Sequence, residues 1–390
     1  MRVMQSHSAT LPRFILLILA AILVCTVYII VQFSRCSDCI FAEDFGLFYN
    51  AGQLAVSGSL TALYNAELVQ GWLQSSVSVF HPFLYPPHSL LLLFILGLAA
   101  PACAFIFWYS VQIGLVVVSI RSSYIQALLH NIPSFTFASL VIFSPFIVIS
   151  LLAGQVGLLW AVLFAGVMAH RKSSPVLAGL MLALFSFKPQ LGFLLPLLLL
   201  AEKNWKSLFF AGLATGAMIL LSILIWGLGP WHDYQQIMAL SWQVVMRAPD
   251  KYMTVSASPY MGMRMLGLNS DIALLFQEIL SITIVIIIWR LLKKPLEERN
   301  IMLLLVSATF LVSPYSYIYD SVILALPCIA LLAHVSENSA TSLERITLVL
   351  LAFLPIVAIK TQPMHIPYSV IAVFTAFLAA VASAKQPEKR

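Results

Sequence analysis

Four short stretches of this chain place ionisable side chains inside strongly apolar sequence, where their chemistry would be altered by their surroundings. In Phe41-Ala42-Glu43-Asp44-Phe45-Gly46-Leu47-Phe48-Tyr49-Asn50-Ala51-Gly52, two carboxylates sit among aromatic rings. Partial burial beside Phe45, Phe48 and Tyr49 makes a carboxylate a better proton acceptor, which suits a general base. The same pattern also describes an acidic pair that stabilises a helix N-terminus through the helix dipole. Tyr85-Pro86-Pro87-His88 opens an apolar run. It reads either as a helix start, since proline is tolerated in the first turn, or as an aromatic and an imidazole offered to a substrate.

Phe187-Lys188-Pro189-Gln190 sets a lysine within apolar sequence immediately before a helix-breaking proline. Phosphate is a natural partner for such an ammonium, and snorkelling to the interface is the alternative. Ser313-Pro314-Tyr315-Ser316-Tyr317-Ile318-Tyr319-Asp320 forms a polar corner whose single carboxylate either meets a substrate or caps the helix that follows. Gly154-Gln155 is a fifth, weaker polar point. A P-loop, an HExxH helix, a GxSxG elbow and an EF-hand loop are all absent, and no cofactor or metal site is expected.

The elements that must position these residues are membrane helices. Of 390 residues, 61% are hydrophobic and 9% charged, more apolar surface than one water-soluble core can hide. Runs such as Phe14–Phe33, Phe135–Leu152, Leu208–Trp226, Ile272–Trp289 and Ile366–Ser383 are near the length that spans hydrocarbon. In lipid they must be helical, because open strands would leave backbone groups unpaired. The net charge of +6 comes from clusters between apolar runs, among them Arg171-Lys172, Lys203 with Lys206, and Arg290 to Arg299. That is the positive-inside pattern and gives no basic stripe for a nucleic acid.

The expected fold is therefore an all-α polytopic membrane protein, one domain over residues 1–390, with about ten to twelve transmembrane helices. Its parts are a first span at 14–33, a first extracytoplasmic loop at 34–83, a helical core at 84–226, a second extracytoplasmic loop at 227–270, and C-terminal helices at 271–384. Within the core, 84–120 reads as two spans around Pro101. Residues 175–201 read as a span broken at Lys188-Pro189, preferred over one helix that would bury the lysine in hydrocarbon. Cys36-x-x-Cys39 leaves a short disulfide and two free thiols both open. The GxxxG at Gly212–Gly216 suits helix packing.

Taken in order, Asp44-Phe45 with Tyr49 and Ala51-Gly52, Gly58, Tyr64, Tyr85-Pro86-Pro87, Gly154-Gln155, Lys188-Pro189-Gln190 and Ser313-Pro314 resemble glycosyltransferase family 87, the polyprenol-phosphate-mannose-dependent mannosyltransferase-like family. The resemblance implies a GT-C fold with its active site at the extracytoplasmic membrane face, in a bacterial inner (plasma) membrane facing the periplasm or exterior. It implies transfer of a hexose, mannose by analogy, from a polyprenyl-phosphate sugar donor to a lipid or glycan acceptor. Asp44 matches the family's catalytic base. Lys188, Arg247 and Arg264 are the expected donor-phosphate cations, and Glu43, Tyr49, Tyr85, His88, Gln155, Gln190, Tyr319 and Asp320 the expected substrate-binding residues. The chain departs from the family pattern at two points: several members carry a histidine near the Ser-Pro corner, where Tyr319-Asp320 stands here, and an asparagine often follows the Gly-Gln pair, where Gly157 stands here. The rival readings are a polytopic transporter or lipid flippase and a non-catalytic assembly protein.

Overall fold

The computed structural model describes residues 43–65, 67, 83–129, 132, 144–247, 256–336 and 340–384. The expected first span, the Cys36–Cys39 pair, half of the first loop and residues 133–143 lie outside these. Among the described residues the chain forms 17 α-helices, and the one isolated bridge joins Ser256 to Tyr317.

Helix α1 (Glu43–Ser57) begins with the acidic pair and ends at Gly58, whose φ of +75° stops the helix. Its buried face is Phe45, Phe48, Ala51 and Ala55, the three-and-four spacing of one helix side. That face meets α2 (Leu90–Gly97) at closest approach between two glycines. A Cβ on Gly97 would lie 2.3 Å from the Gly52 carbonyl, and one on Gly52 would lie 2.4 Å from the Leu93 oxygen. The two backbones can touch only because neither residue carries a side chain. A 3₁₀ turn, Pro87–Ser89, with proline at its first position, leads into α2. Then follow α3 (Pro101–Ile120) and the short α4 (Ser123–Leu128); within 84–120, the helices on either side of Pro101 are the eight-residue α2 and the twenty-residue α3.

Helix α5 (Pro145–Ala153) stops at Gly154, left-handed at φ +77°, and α6 (Gly157–His170) starts three residues later. Gly157 allows this corner to pack: a Cβ there would meet Ser150 Oγ and Val322 Cγ1, each at 2.5 Å. The stretch 175–201 is broken as expected. Helix α7 (Pro175–Leu184) passes through a 3₁₀ turn, Phe185–Phe187, to a non-helical Lys188 (φ −140°, ψ 70°), a second turn, Pro189–Leu191, and α8 (Leu195–Ala201). Proline disfavours the helical conformation in the residue before it and supplies no N–H, so the helix cannot continue through Lys188. Helix α9 (Trp205–Trp226) then packs against α7, where Ser207 Oγ donates to the Pro175 carbonyl at 2.9 Å.

The second expected loop is largely helical. It contains α10 (Gly229–Arg247), which buries Pro230, Ile237 and Ser241 while Gln235 and Gln236 stay exposed, and α11 (Pro259–Met265). Helix α12 (Ser270–Leu291) carries the buried Gln277, whose amide accepts from the Tyr260 N–H and donates to the Leu311 and Val312 carbonyls. Those carbonyls end α13 (Glu298–Val312), which is buried on every side from Asn300 to Leu311 and so forms the centre of the molecule. After the Ser313-Pro314 corner, a 3₁₀ helix, Ile318–Leu324, runs into α14 (Ala325–Ser336). The chain closes with α15 (Ser342–Ala352) and α16 (Leu354–Thr361), bent 64° apart, and α17 (Tyr368–Ser383).

Among the described residues, four helical stretches are long and apolar enough to cross a bilayer, or five if the bent pair counts as one span, and several apolar helices are shorter. Only 11% of the apolar window in α9 is buried, against 83% in Ile318–Val335. The first therefore presents its leucines and isoleucines to lipid, and the second lies in the protein interior.

At one end of the bundle an ion cluster ties four elements together. Arg171, 1% exposed, donates from Nε to both Glu202 oxygens at 3.0 Å and from Nη2 to Glu298 at 2.7 and 2.9 Å. It also donates to the Met168 carbonyl, while Asn204 donates to the Arg171 carbonyl. Lys172 and Tyr124 add to Glu298 at 3.1 and 3.3 Å.

Candidate functional site

At the opposite ends of α6 and α9 from that cluster, five separate stretches converge. Lys188 is presented by the break between α7 and α8, and its Nζ lies 2.5 Å from Asp320 Oδ1 across 132 residues of sequence. Asp320 comes from the 3₁₀ helix preceding α14 and is 1% exposed. It does not cap that helix: the N-cap residue is Tyr317, and it makes no side-chain cap bond. Nor does Lys188 snorkel, since it is buried and ion-paired. Taking two charges out of water costs more than a simple packing role requires, and only close pairing offsets it.

Two aromatic rings flank the ammonium, Tyr319 at 5.1 Å and Tyr85 at 5.9 Å from their centroids. Both rings lie where cation–π attraction operates. Tyr85 is held by its neighbours: its carbonyl accepts from Tyr64 Oη at 2.9 Å, and its ring packs edge-on to Phe48 of α1 at 5.3 Å. Asp44, the second residue of α1, shares the electrostatic neighbourhood of Lys188, Tyr85, Tyr319 and Asp320. Asp44 lies in the first turn of α1, and its charge acts on the buried Lys188–Asp320 pair.

Gln155, buried at the α5–α6 corner, donates from Nε2 to Asp44 Oδ2 at 2.7 Å. Helix α3 braces the corner from behind: Tyr109 Oη donates to the Leu151 carbonyl at 2.7 Å and Trp108 Nε1 to the Gly154 carbonyl at 3.3 Å. His88, 3% exposed, lies beside this group with Nε2 2.8 Å from Ser186 Oγ. Its ring stacks on Trp231 of α10, centroids 5.5 Å apart and planes within 2°.

The other expected site residues whose side chains the structure describes are Tyr49, Gln190 and Arg264. Tyr49 donates to the Ala99 carbonyl at 3.1 Å and pins α1 to the α2–α3 connection. Gln190 is half-buried on the turn after Lys188. Arg264 donates to the Leu268 carbonyl at 2.9 Å and so closes the end of its own helix. Glu43 opens α1 and Arg247 closes α10. Of the two expected phosphate cations whose side chains the structure describes, Lys188 and Arg264, Lys188 is the one found beside Tyr85, Tyr319 and Asp320.

Ser186, Trp231 and the bracing Trp108 were not singled out from sequence. Their only advance signals were the serine next to Phe187-Lys188 and the aromatic richness of 227–270.

A family model described as glycosyltransferase family 87 matches residues 83–314, more than half of the chain. The matched stretch includes Tyr85, His88, Gln155, Lys188 and Gln190; Asp44 precedes it and Tyr319-Asp320 follows it. No curated protein and no solved structure matches the chain.

Proposed function

The chain belongs to glycosyltransferase family 87 and is a membrane glycosyltransferase, and from that premise we propose that it moves a hexose, mannose by family analogy, from a polyprenyl-phosphate donor to a hydroxyl of a lipid or glycan acceptor. In this reading the active site faces outward from a bacterial inner membrane, and the product has inverted configuration at the anomeric carbon.

Asp44 takes the proton from the acceptor hydroxyl as its oxygen attacks the anomeric carbon. The bond from that carbon to the phosphate oxygen breaks, and polyprenyl phosphate departs with the electron pair. Lys188 receives the charge that grows on the phosphate, in surroundings dry enough to strengthen the attraction. Tyr85, Tyr319 and His88 form walls against which the sugar is oriented.

The observation that carries the reading is the convergence of Asp44 and Lys188, an acid–base group and a phosphate-type cation, from stretches more than a hundred residues apart. Outward orientation is supported by the position of Arg171, Lys172, Lys203 and Lys206 at the far ends of α6 and α9.

Membranes containing the protein, given labelled mannosyl-phosphoryl-polyprenol or labelled nucleotide-mannose in parallel, test the donor. Transfer from the lipid donor alone is expected. Equal or better transfer from the nucleotide sugar contradicts the proposal.

A further inference from the structure

We propose that Asp320 and the donor phosphate compete for one ammonium, Lys188, so that the donor binds only as the Asp320 carboxylate leaves. This rests on the reading of Lys188 as the donor-phosphate group. The ammonium is enclosed: Asp320 Oδ1 lies 2.5 Å away, and the Tyr319 and Tyr85 rings lie 5.1 and 5.9 Å away. Side-chain exposure is 6% for Lys188 and 1% for Asp320. A phosphate oxygen at hydrogen-bond distance from Nζ needs the place that the carboxylate holds.

Charge leads to the same conclusion. Asp44 and Asp320 already set two carboxylates against one lysine in this neighbourhood. Adding a phosphate without moving a carboxylate would leave three anionic groups on one buried cation, and uncompensated buried charge is strongly unfavourable.

The element that carries Asp320 is suited to the movement. Ile318–Leu324 is a 3₁₀ helix of seven residues, whereas runs beyond three or four are uncommon. It continues directly into α14. Rewinding it as α-helix changes the turn per residue from about 120° to about 100°. Asp320, five residues before Ala325, would then swing by roughly 100° about the helix axis. Its Oδ2 has no hydrogen-bond partner among the described residues, so departure breaks the contact of one oxygen only.

The test uses detergent-solubilised full-length protein and farnesyl phosphate, with farnesol as the uncharged control. Asp320→Asn is expected to bind farnesyl phosphate at least about tenfold more tightly than wild type, because its buried ammonium has lost a competing carboxylate. Farnesol binding stays the same in both, and Lys188→Met loses the advantage of phosphate over farnesol. If Lys188→Met is weakened but Asp320→Asn binds no tighter than wild type, the competition is overturned and the phosphate role of Lys188 stands. If Lys188→Met binds farnesyl phosphate as wild type does, that role itself fails and takes the competition with it. Wild-type protein supplies a second measurement that does not depend on the folding of a variant. Saturating farnesyl phosphate, and not farnesol, is expected to change amide hydrogen exchange within residues 318–324, and unchanged exchange there overturns the proposal.

Discussion

Gln155 Nε2 donates to Asp44 Oδ2 at 2.7 Å, joining a helix corner to the first turn of a helix 111 residues earlier. The orientation of the carboxylate is thus set from outside its own helix. Gln155 is placed in turn by the left-handed Gly154 and by Trp108 and Tyr109 behind it. In a reaction where Asp44 takes a proton, Gln155 is a positioning residue.

Gln155→Leu removes a hydrogen bond to an ionised group, a contribution of about 1.5–3 kcal/mol. The expected result is a fall in kcat of roughly 10- to 150-fold, with donor KM changed by less than about threefold. Steady-state transfer assays separate the two constants. An unchanged kcat would mean that Asp44 needs no such positioning.

Gly97→Ala inserts a methyl group where a Cβ would lie 2.3 Å from the Gly52 carbonyl. The backbones of α1 and α2 must separate, at a cost of about 1–3 kcal/mol. Because α1 carries Asp44, activity should fall together with thermal stability. Gly114→Ala is the control, since a Cβ at Gly114 meets nothing within 4 Å, and wild-type behaviour is expected from it.

Arg171→Met leaves Glu202 and Glu298 facing each other without their shared guanidinium. Both carboxylates keep some exposure, 22% and 33%, so the loss is discounted to about 2–3 kcal/mol, below the value for a fully buried pair. Thermal unfolding in detergent should show a Tm lowered by several degrees. Arg171→Lys should recover only part of it, because an ammonium cannot bond both carboxylates in the forked geometry.

The same cluster makes stability depend on pH. Burial pushes the Glu298 carboxyl up, but hydrogen bonds and charge from Arg171, with Lys172 beside it, outweigh burial and hold it below its ordinary value of 4.5. The ionised group therefore stabilises the fold fully above that ordinary value, and the contribution is lost as pH falls through the depressed one. The Tm difference between wild type and Glu298→Gln should be level from neutral pH down to about pH 5 and narrow on further acidification. A difference that closed near neutral pH would assign the effect to another group.

What was legible in the sequence was what local physics determines. Hydropathy identified the membrane class, and proline chemistry located the break at Lys188-Pro189, which forms as two 3₁₀ turns around a non-helical lysine. The pairing of Lys188 with Asp320 was not legible, because nothing local links residues 132 positions apart, and Asp320 looked equally fit to cap a helix. The 3₁₀ winding of 318–324 was hidden for the same reason, since its apolar composition suits an α-helical span equally well. Helix α10 lies within the stretch expected as the second extracytoplasmic loop, where many polar and aromatic residues mask its buried face of Pro230, Ile237 and Ser241. Arg264 was grouped with Lys188 on charge alone, and its bond to the nearby Leu268 carbonyl is a turn geometry that composition does not reveal.

The central claim is that Asp44 is the base, and Asp44→Asn tests it most directly. The substitution keeps the size of the side chain and its place in the first turn of α1 while removing its ability to accept a proton. Transfer from mannosyl-phosphoryl-polyprenol should fall to background in membranes that hold the variant at wild-type level, with Tm within a few degrees of wild type. Transfer at the wild-type rate would contradict the account.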